Sequence, residues 1–216
     1  MNELAIELAG ERVLMLAQKA LYWPREGMLV VADIHFGKAA AFRSLGVPVP
    51  GGTTRENLAR LDALIARYGV RQLVFLGDFL HARAAHAQAT QAALHEWRTR
   101  HAGLGLILVR GNHDRHAGDP GAALAITLVD EPFMLGPFAC CHHPDLEAPG
   151  YVLAGHVHPV YVLATRFDAL RLPCFLVGRR RMILPSFGAF TGGYVITPSP
   201  EERVFVSSGD TIHSVR

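Results

Sequence analysis

Three strand-length, mainly apolar runs at residues 28–31, 72–76 and 104–109 each stop at a polar cluster containing Asp, Asn or His. This arrangement constrains the fold more than any other feature of the chain. Runs of this length that lack alternation fit strands buried on both faces. Helical segments separate them. After a glycine- and proline-rich loop at 46–52, Thr53 or Thr54 can cap a helix carrying Leu58, Leu61, Leu64 and Ile65 at helical spacing, and a second helix is expected over about 84–100. Strands joined by helices imply right-handed parallel crossovers, and ligands bind beyond the carboxyl ends of such strands. Asp33, Gly77-Asp78 and Arg110-Gly111-Asn112-His113-Asp114 should therefore face one crevice. Two more apolar runs repeat the pattern: 138–141 leads into His142-His143, and 151–154 leads into Gly155-His156-Val157-His158.

Short alternations on either side of Ala9-Gly10-Glu11 predict an opening hairpin. After Pro159 the texture changes to short β runs near 160–164, 174–177, 182–184, 194–197 and 204–207, read as antiparallel strands of a second sheet. The expected fold class is α/β, with two mixed β-sheets packed face to face, helices on the outer faces (an α-β-β-α sandwich) and one domain over 1–216. At 50% apolar and 19% charged residues, the composition is globular, and no run is long enough to cross a bilayer. Without a basic start and apolar stretch near the N-terminus, the expected location is cytoplasmic. Cys140, Cys141 and Cys174 offer no CxxC pair for a thiolate zinc site and are expected as reduced, buried thiols. The net charge of +2 is too mild to argue for nucleic acid, although only Lys19 and Lys38 among the 21 basic residues are lysines.

Each motif alone is weak evidence, since an Asp-x-His or a Gly-Asp turn recurs by chance. Lone histidines such as His86, His95, His101, His116 and His213 are expected to be surface or core residues. Order and placement decide the matter for the rest. Together, Asp33-x-His35, Gly77-Asp78, Gly111-Asn112-His113-Asp114, His142 after a strand and Gly155-His156-x-His158 resemble the full signature of the calcineurin-like metallophosphoesterases. The resemblance covers about residues 30–159. It implies that Asp33, His35 and His158 hold one divalent metal, that Asn112, His142 and His156 hold another, and that Asp78 bridges the two. Oxygen and imidazole donors without thiolate suit Mn²⁺, Fe or Zn²⁺, with manganese the first choice. Two such ions can activate water and clamp phosphoryl oxygens. His143 competes with His142 for the ligand position. The resemblance places His113 outside the ligand set, beside the leaving oxygen, as general acid. Asp114 is expected to orient rather than react.

A narrower resemblance rests on Asp33-Ile-His-Phe-Gly-Lys38, Phe42-Arg43-x-x-Gly46-x-Pro48, Gly77-Asp-x-x-His81 and the late Leu184-Pro-Ser-Phe-Gly-Ala-Phe-Thr-Gly-Gly193. These resemble the bacterial ligase-associated DNA-damage-response metallophosphoesterases over nearly the whole chain. That family implies a Mn²⁺-dependent DNA endonuclease preferring single strands and working beside a DNA ligase, a helicase and an exonuclease. Lys38, Arg43, His81 and Arg83 lie on loops leaving the strand ends and could contact phosphates, as could His143. Arg179-Arg180-Arg181 reads as a solvated turn or a DNA contact, and Phe187 and Phe190 as hairpin core or base-stacking rings. Two rival readings are a phosphomonoesterase or small-nucleotide phosphodiesterase, which shares every ligand, and a non-catalytic interaction scaffold, which would be expected to lose some.

Overall fold

The computed structural model describes residues 2–49, 51–164 and 166–215; Pro50, within the loop read at 46–52, lies outside them. The opening hairpin forms as β1 (Glu3–Leu8) and β2 (Glu11–Leu16), with Leu8 opposite Glu11 and a two-residue turn at Ala9-Gly10, both at positive φ. A further strand, β3 (Ala20–Trp23), which the sequence pattern did not reveal, joins β2 to β4 (Met28–Ala32).

From β4 the chain alternates as read. Helices α1 (Lys38–Ser44) and α2 (Thr53–Tyr68) precede β5 (Gln72–Leu76). Helix α3 (Gln88–Arg100) precedes β6 (Gly105–Val109), and α4 (Asn112–Ala117) precedes β7 (Thr127–Val129). The first sheet runs β1-β2-β3-β4-β5-β6-β7, antiparallel up to β4 and parallel from there. Two local expectations change. Gly52, at φ 87, caps α2 without a side-chain bond, so Thr53 and Thr54 already lie in the first turn. The helix expected from 84 begins as a 3₁₀ turn, Arg83–His86, and breaks at Ala87, whose ψ is 140°. That turn packs the buried Ala85 onto Gly37, where even a Cβ would come within 2.4 Å.

The second sheet holds β8 (Phe133–Leu135), β9 (Phe138–Cys140), β10 (Tyr151–Ala154), β11 (Pro159–Ala164), β12 (Ala169–Val177), β13 (Arg181–Ile183), β14 (Tyr194–Val195), β15 (Arg203–Ser208) and β16 (Thr211–Ser214). Its main order is β14-β11-β12-β13-β10-β9-β8, with β15 and β16 added beside β12. The sheet is mixed: β10 runs parallel to β9 and β13, and β11 parallel to β14, while the remaining pairs are antiparallel.

Between the sheets lie Met15, Leu21, Val30, Val74 and Ile107 from the first and Phe138, Leu153, Phe175, Met182 and Phe205 from the second. Alternate residues of the same strands, Val31, Leu73, Phe75 and Leu108, pack on Leu58, Leu61 and Leu64 of α2 and Leu94 and Trp97 of α3. This double burial is why the runs carry no polar alternation. Each large side chain so removed from water contributes about 1.5–3 kcal/mol. The two-sheet mixed fold is thus the expected one, but its helical cover is one-sided among the described residues: every α-helix lies between β4 and β7. Parallel strands need crossovers, whereas hairpins of the second sheet turn directly. All three cysteines are buried and free, and burial pushes Cys140 and Cys174 up to about 12 and Cys141 to about 11, so none is a thiolate. Among the described residues no helix is long and apolar enough to cross a membrane.

Candidate metal centre

The carboxyl ends of β4, β5, β6, β9 and β10 converge on one crevice, and each delivers a motif to it. Asp33 follows β4, Asp78 follows β5, Asn112 opens α4 after β6, His142 follows β9, and His156 and His158 follow β10. Asp33 and Asp78 are 0% and 2% exposed, and His142 is fully buried. One group of donors comprises Asp33, His35 and His158: His158 Nε2 lies 3.6 Å from Asp33 Oδ2, and His35 Nε2 lies 3.3 Å from His158 Nε2 and 3.7 Å from Asp78 Oδ2. The other comprises Asn112, His142 and His156: His142 Nε2 lies 2.8 Å from Asn112 Oδ1, 3.0 Å from His156 Nδ1 and 3.5 Å from Asp78 Oδ1. Asp78 stands between the two groups.

Second contacts aim these rings. His142 Nδ1–H donates to the Leu76 carbonyl at 3.1 Å and His158 Nδ1–H to that of Gly192 at 3.1 Å, leaving each Nε2 lone pair pointed into the crevice. Two imidazole nitrogens and an amide oxygen thus crowd together at contact distance, and among the described residues Asp33 Oδ1 and His35 Nδ1 are buried without a hydrogen-bond partner. Buried charge of this kind is costly unless a cation shares it. The donor set, two Asp, one Asn and four His, fits divalent metal ions and includes no thiolate. Burial raises the Asp78 pKa, with Asp33 adding to the rise and His142 opposing it. Burial, followed by the charges of Lys38 and other histidines, lowers that of His35. Burial is the largest influence on His158 and lowers its pKa, but the bond to Asp33, the Asp33 charge and the Gly192 carbonyl together outweigh it and leave the pKa raised.

Glycines let the motifs cross. A Cβ on Gly77 would lie 2.1 Å from His142 Nδ1, and one on Gly111 would lie 2.4 Å from Asp78 Oδ1. Asp78 and Asn112 are each preceded by glycine because another donor's side chain passes over that backbone.

His113 stands just outside the donors. Its backbone N–H donates to Asp78 Oδ1 at 2.9 Å, its Nδ1–H donates to the His81 carbonyl at 2.8 Å, and its Nε2 lies 3.9 Å from Asp78 Oδ2. The His81 ring stacks on it, with centroids 4.8 Å apart, and Phe42 stacks on His81 in turn. Burial, with Lys38 and His113 adding, lowers His81 to about 4, so it is a neutral ring that steadies its neighbour. Asp114 is fully buried and accepts the N–H groups of Leu80 and Gly111, both at 3.0 Å, tying the loop after β5 to the start of α4. Burial pushes it up to about 6 against those two bonds.

Of the two neighbouring histidines, His142 reaches Asn112, Asp78 and Asp33, whereas the half-exposed His143 is held by Glu131, its Nδ1 2.6 Å from Oε1. Glu131 also accepts the backbone N–H of His142 at 2.7 Å and of His143 at 2.9 Å. Burial tends to raise its pKa, but these three bonds more than offset that and hold it below the usual range. Lys38 is partly buried and feels the charges of Asp78 and Asp33. Arg43 is exposed at the last turn of α1 and lines a separate cavity with Thr53, Thr54 and Thr90. Arg179 and Arg181 pair with Glu201 and Asp145 beside the amino end of β13, the end of the sheet opposite His156, so the arginine cluster is not part of the crevice. Phe187 is fully buried under the Arg60 guanidinium and is core, and Phe190 packs edge-on against Phe42. Residues that sequence reading missed are Glu131, Ser186, whose hydroxyl donates to the Asp33 carbonyl at 2.7 Å, and Asn57. Asn57 was visible in principle as a polar residue on the Leu61/Leu64 stripe of α2.

The family model of calcineurin-like phosphoesterases matches residues 28–144, more than half of the chain. This chain belongs to that family. Calcineurin-like phosphoesterases are metal-dependent hydrolases, which agrees with the donor-lined crevice; His156 and His158 lie beyond the matched segment and join through the fold. Among solved structures, the nuclease MPE of Pseudomonas putida shares 50% identity over 95% of this chain and 97% of its own, with a TM-score of 0.85. A protein of unknown function from Aquifex aeolicus, AQ665, shares 19% identity over 61% of this chain and 78% of its own at a TM-score of 0.42. The E. coli phosphoesterase YfcE shares 14% over 86% and 90% at 0.41. No protein of curated function matches the sequence.

Proposed function

We propose that the chain is a two-metal phosphodiesterase that cuts DNA, single strands in preference, with Mn²⁺ as the first-choice metal and Fe or Zn²⁺ as alternatives. The carrying observation is the convergence of seven donors from five strand ends beneath His113, in a chain half identical to a nuclease. Asp33, His35 and His158 hold one ion, Asn112, His142 and His156 the other, and Asp78 bridges them. When bound, such ions supply activated water and offset charge on the phosphoryl oxygens. His113 keeps one proton on Nδ1 by its bond to the His81 carbonyl, so its Nε2 is the nitrogen that can pass a proton to the leaving oxygen. Lys38 and His143, flanking the two donor groups, contact phosphate oxygens, while His81 steadies His113 and Arg43 serves a strand running past α1. The reaction belongs to DNA repair in the cytoplasm, beside a DNA ligase, a helicase and an exonuclease.

The test is the Mn²⁺-loaded protein on bis-p-nitrophenyl phosphate, p-nitrophenyl phosphate and single-stranded circular DNA, with Asp78→Ala as control. Diester turnover and nicking, both lost in Asp78→Ala, are expected. Robust monoester turnover without nicking would replace the reading by a phosphomonoesterase. No bound metal and no hydrolysis would leave an interaction scaffold.

A further inference from the structure

Beside His158, on the side away from Asp78, lies a cavity of about 250 Å³ whose lining includes Lys19, Arg171, Ser186, Thr191 and Gly192. It shares a wall with the metal centre, because the His158 ring that faces Asp33 through Nε2 holds Gly192 through Nδ1. Two cations reach its rim. Lys19 Nζ donates to the Gly188 carbonyl at 3.2 Å, and Arg171 Nη2 donates to that of Gly193 at 3.3 Å. Among the described residues neither forms an ion pair, whereas Arg25, Arg100, Arg110 and Arg181 do. Burial, with Arg60 adding and Glu56 opposing, draws the Lys19 ammonium down to about 7, as expected of a cation that lacks an anion. Beyond the cavity, the Tyr194 N–H donates to the His158 carbonyl at 3.0 Å while its side chain stands in solvent, the residue 70% exposed. Close approach of that strand depends on Gly193, where a Cβ would fall 2.1 Å from Val160 Cγ2.

We propose that this cavity is a phosphate subsite for the substrate strand, with Lys19 and Arg171 holding the phosphate next to the scissile one and Tyr194 stacking on the base beyond it. This rests on the nuclease reading above and names the path of the strand, across the β11–β14 edge. Arginine and lysine with hydroxyls suit a phosphate oxygen cluster, and an exposed aromatic beside them suits an unpaired base. The one-sided position also supplies register, since a strand held there enters the crevice past His158.

Anisotropy of a short labelled single-stranded oligonucleotide, read on the protein loaded with Ca²⁺ to suppress cleavage, tests the subsite. Lys19→Met and Arg171→Ala are each expected to weaken binding about tenfold, the loss of one charge-assisted hydrogen bond. Each should also make the log–log salt slope shallower by about 0.7. Tyr194→Ala should weaken binding at unchanged slope, Lys19→Arg should restore it, and Arg67→Ala, on the far side of α2, should behave as wild type. Thermal unfolding of each variant confirms that it folds. Wild-type affinity and slope in both charge variants, with the wild-type protein still nicking DNA, would overturn the subsite and leave the nuclease reading intact. Stabilisation by inorganic phosphate that Lys19→Met abolishes, with oligonucleotide affinity unchanged, would instead make it a free-phosphate site and overturn the strand path. A wild-type protein without diester turnover would overturn both.

Discussion

Asp33, His35, Asp78, His156 and His158 all sit at positive φ, between 50° and 70°, and each such non-glycine residue costs about 1–3 kcal/mol. Five of the seven donors carry this strain, which persists because their backbones are tied to one another: His35 N–H to the Asp78 carbonyl, His156 N–H to Asp33 Oδ2, and Ser186 to the Asp33 carbonyl. The convergence of these residues on one crevice was legible because each motif follows an apolar run. The strain was not, since Asp and His, though more tolerant of a left-handed backbone than most residues, adopt it at only a small minority of positions. Glu131 was equally hidden, a single loop carboxylate whose partners lie eleven and twelve residues on. Its bonds to the backbone of His142 and to His143 hold the loop that carries the His142 ring into the crevice. Glu131→Ala is therefore expected to lower Mn²⁺ affinity about 10- to 100-fold. Calorimetric titration that gives the wild-type affinity would contradict this.

The parallel strands were readable because both of their faces are buried, and their carboxyl ends then placed the motifs in one crevice. Short strands escaped: β7 and β8 have three residues each, partly exposed, too few for a pattern to emerge. The break at Ala87 escaped as well, because the alanines on either side of it favour a helix and only the packing of Ala85 on Gly37 overrides them. Helix α2 does more than cover the sheet. Its buried Asn57 donates to the Ile34 carbonyl at 3.2 Å and accepts the Ala189 N–H at 2.9 Å, clamping the loop between Asp33 and His35 to the glycine-rich segment. Asn57→Ala strands both groups and should cost about 1–3 kcal/mol of stability, read as a lower urea midpoint. A midpoint equal to wild type would show that the clamp carries no weight.

Across the whole molecule, two mixed sheets share one apolar interior, the helices attach to the parallel part of the first, and the crevice lies across the parallel strand ends of both. The second sheet contributes His142, His156 and His158 from its parallel core, so the centre forms only when the sheets are packed. Placement of charge follows the same division. Lys19, between β2 and β3, has a folded pKa near 7 against an ordinary 10.5. Because the folded state disfavours its charged form, the penalty is fully present below pH 7 and fades as pH rises toward 10.5. Its upper bound is about 5 kcal/mol. Lys19→Met should accordingly raise the urea midpoint at pH 7 and rise less than wild type between pH 7 and 9.5; parallel curves for the two proteins would refute the burial account.

The proposed phosphodiesterase requires two divalent ions, held by seven donors from five strand ends and sharing Asp78. Elemental analysis of the protein after Mn²⁺ loading and desalting tests it. Two Mn²⁺ per chain in wild type and fewer in folded Asp78→Ala are the result expected. One ion or none in wild type, or two retained without Asp78, would rule out a pair of ions sharing Asp78.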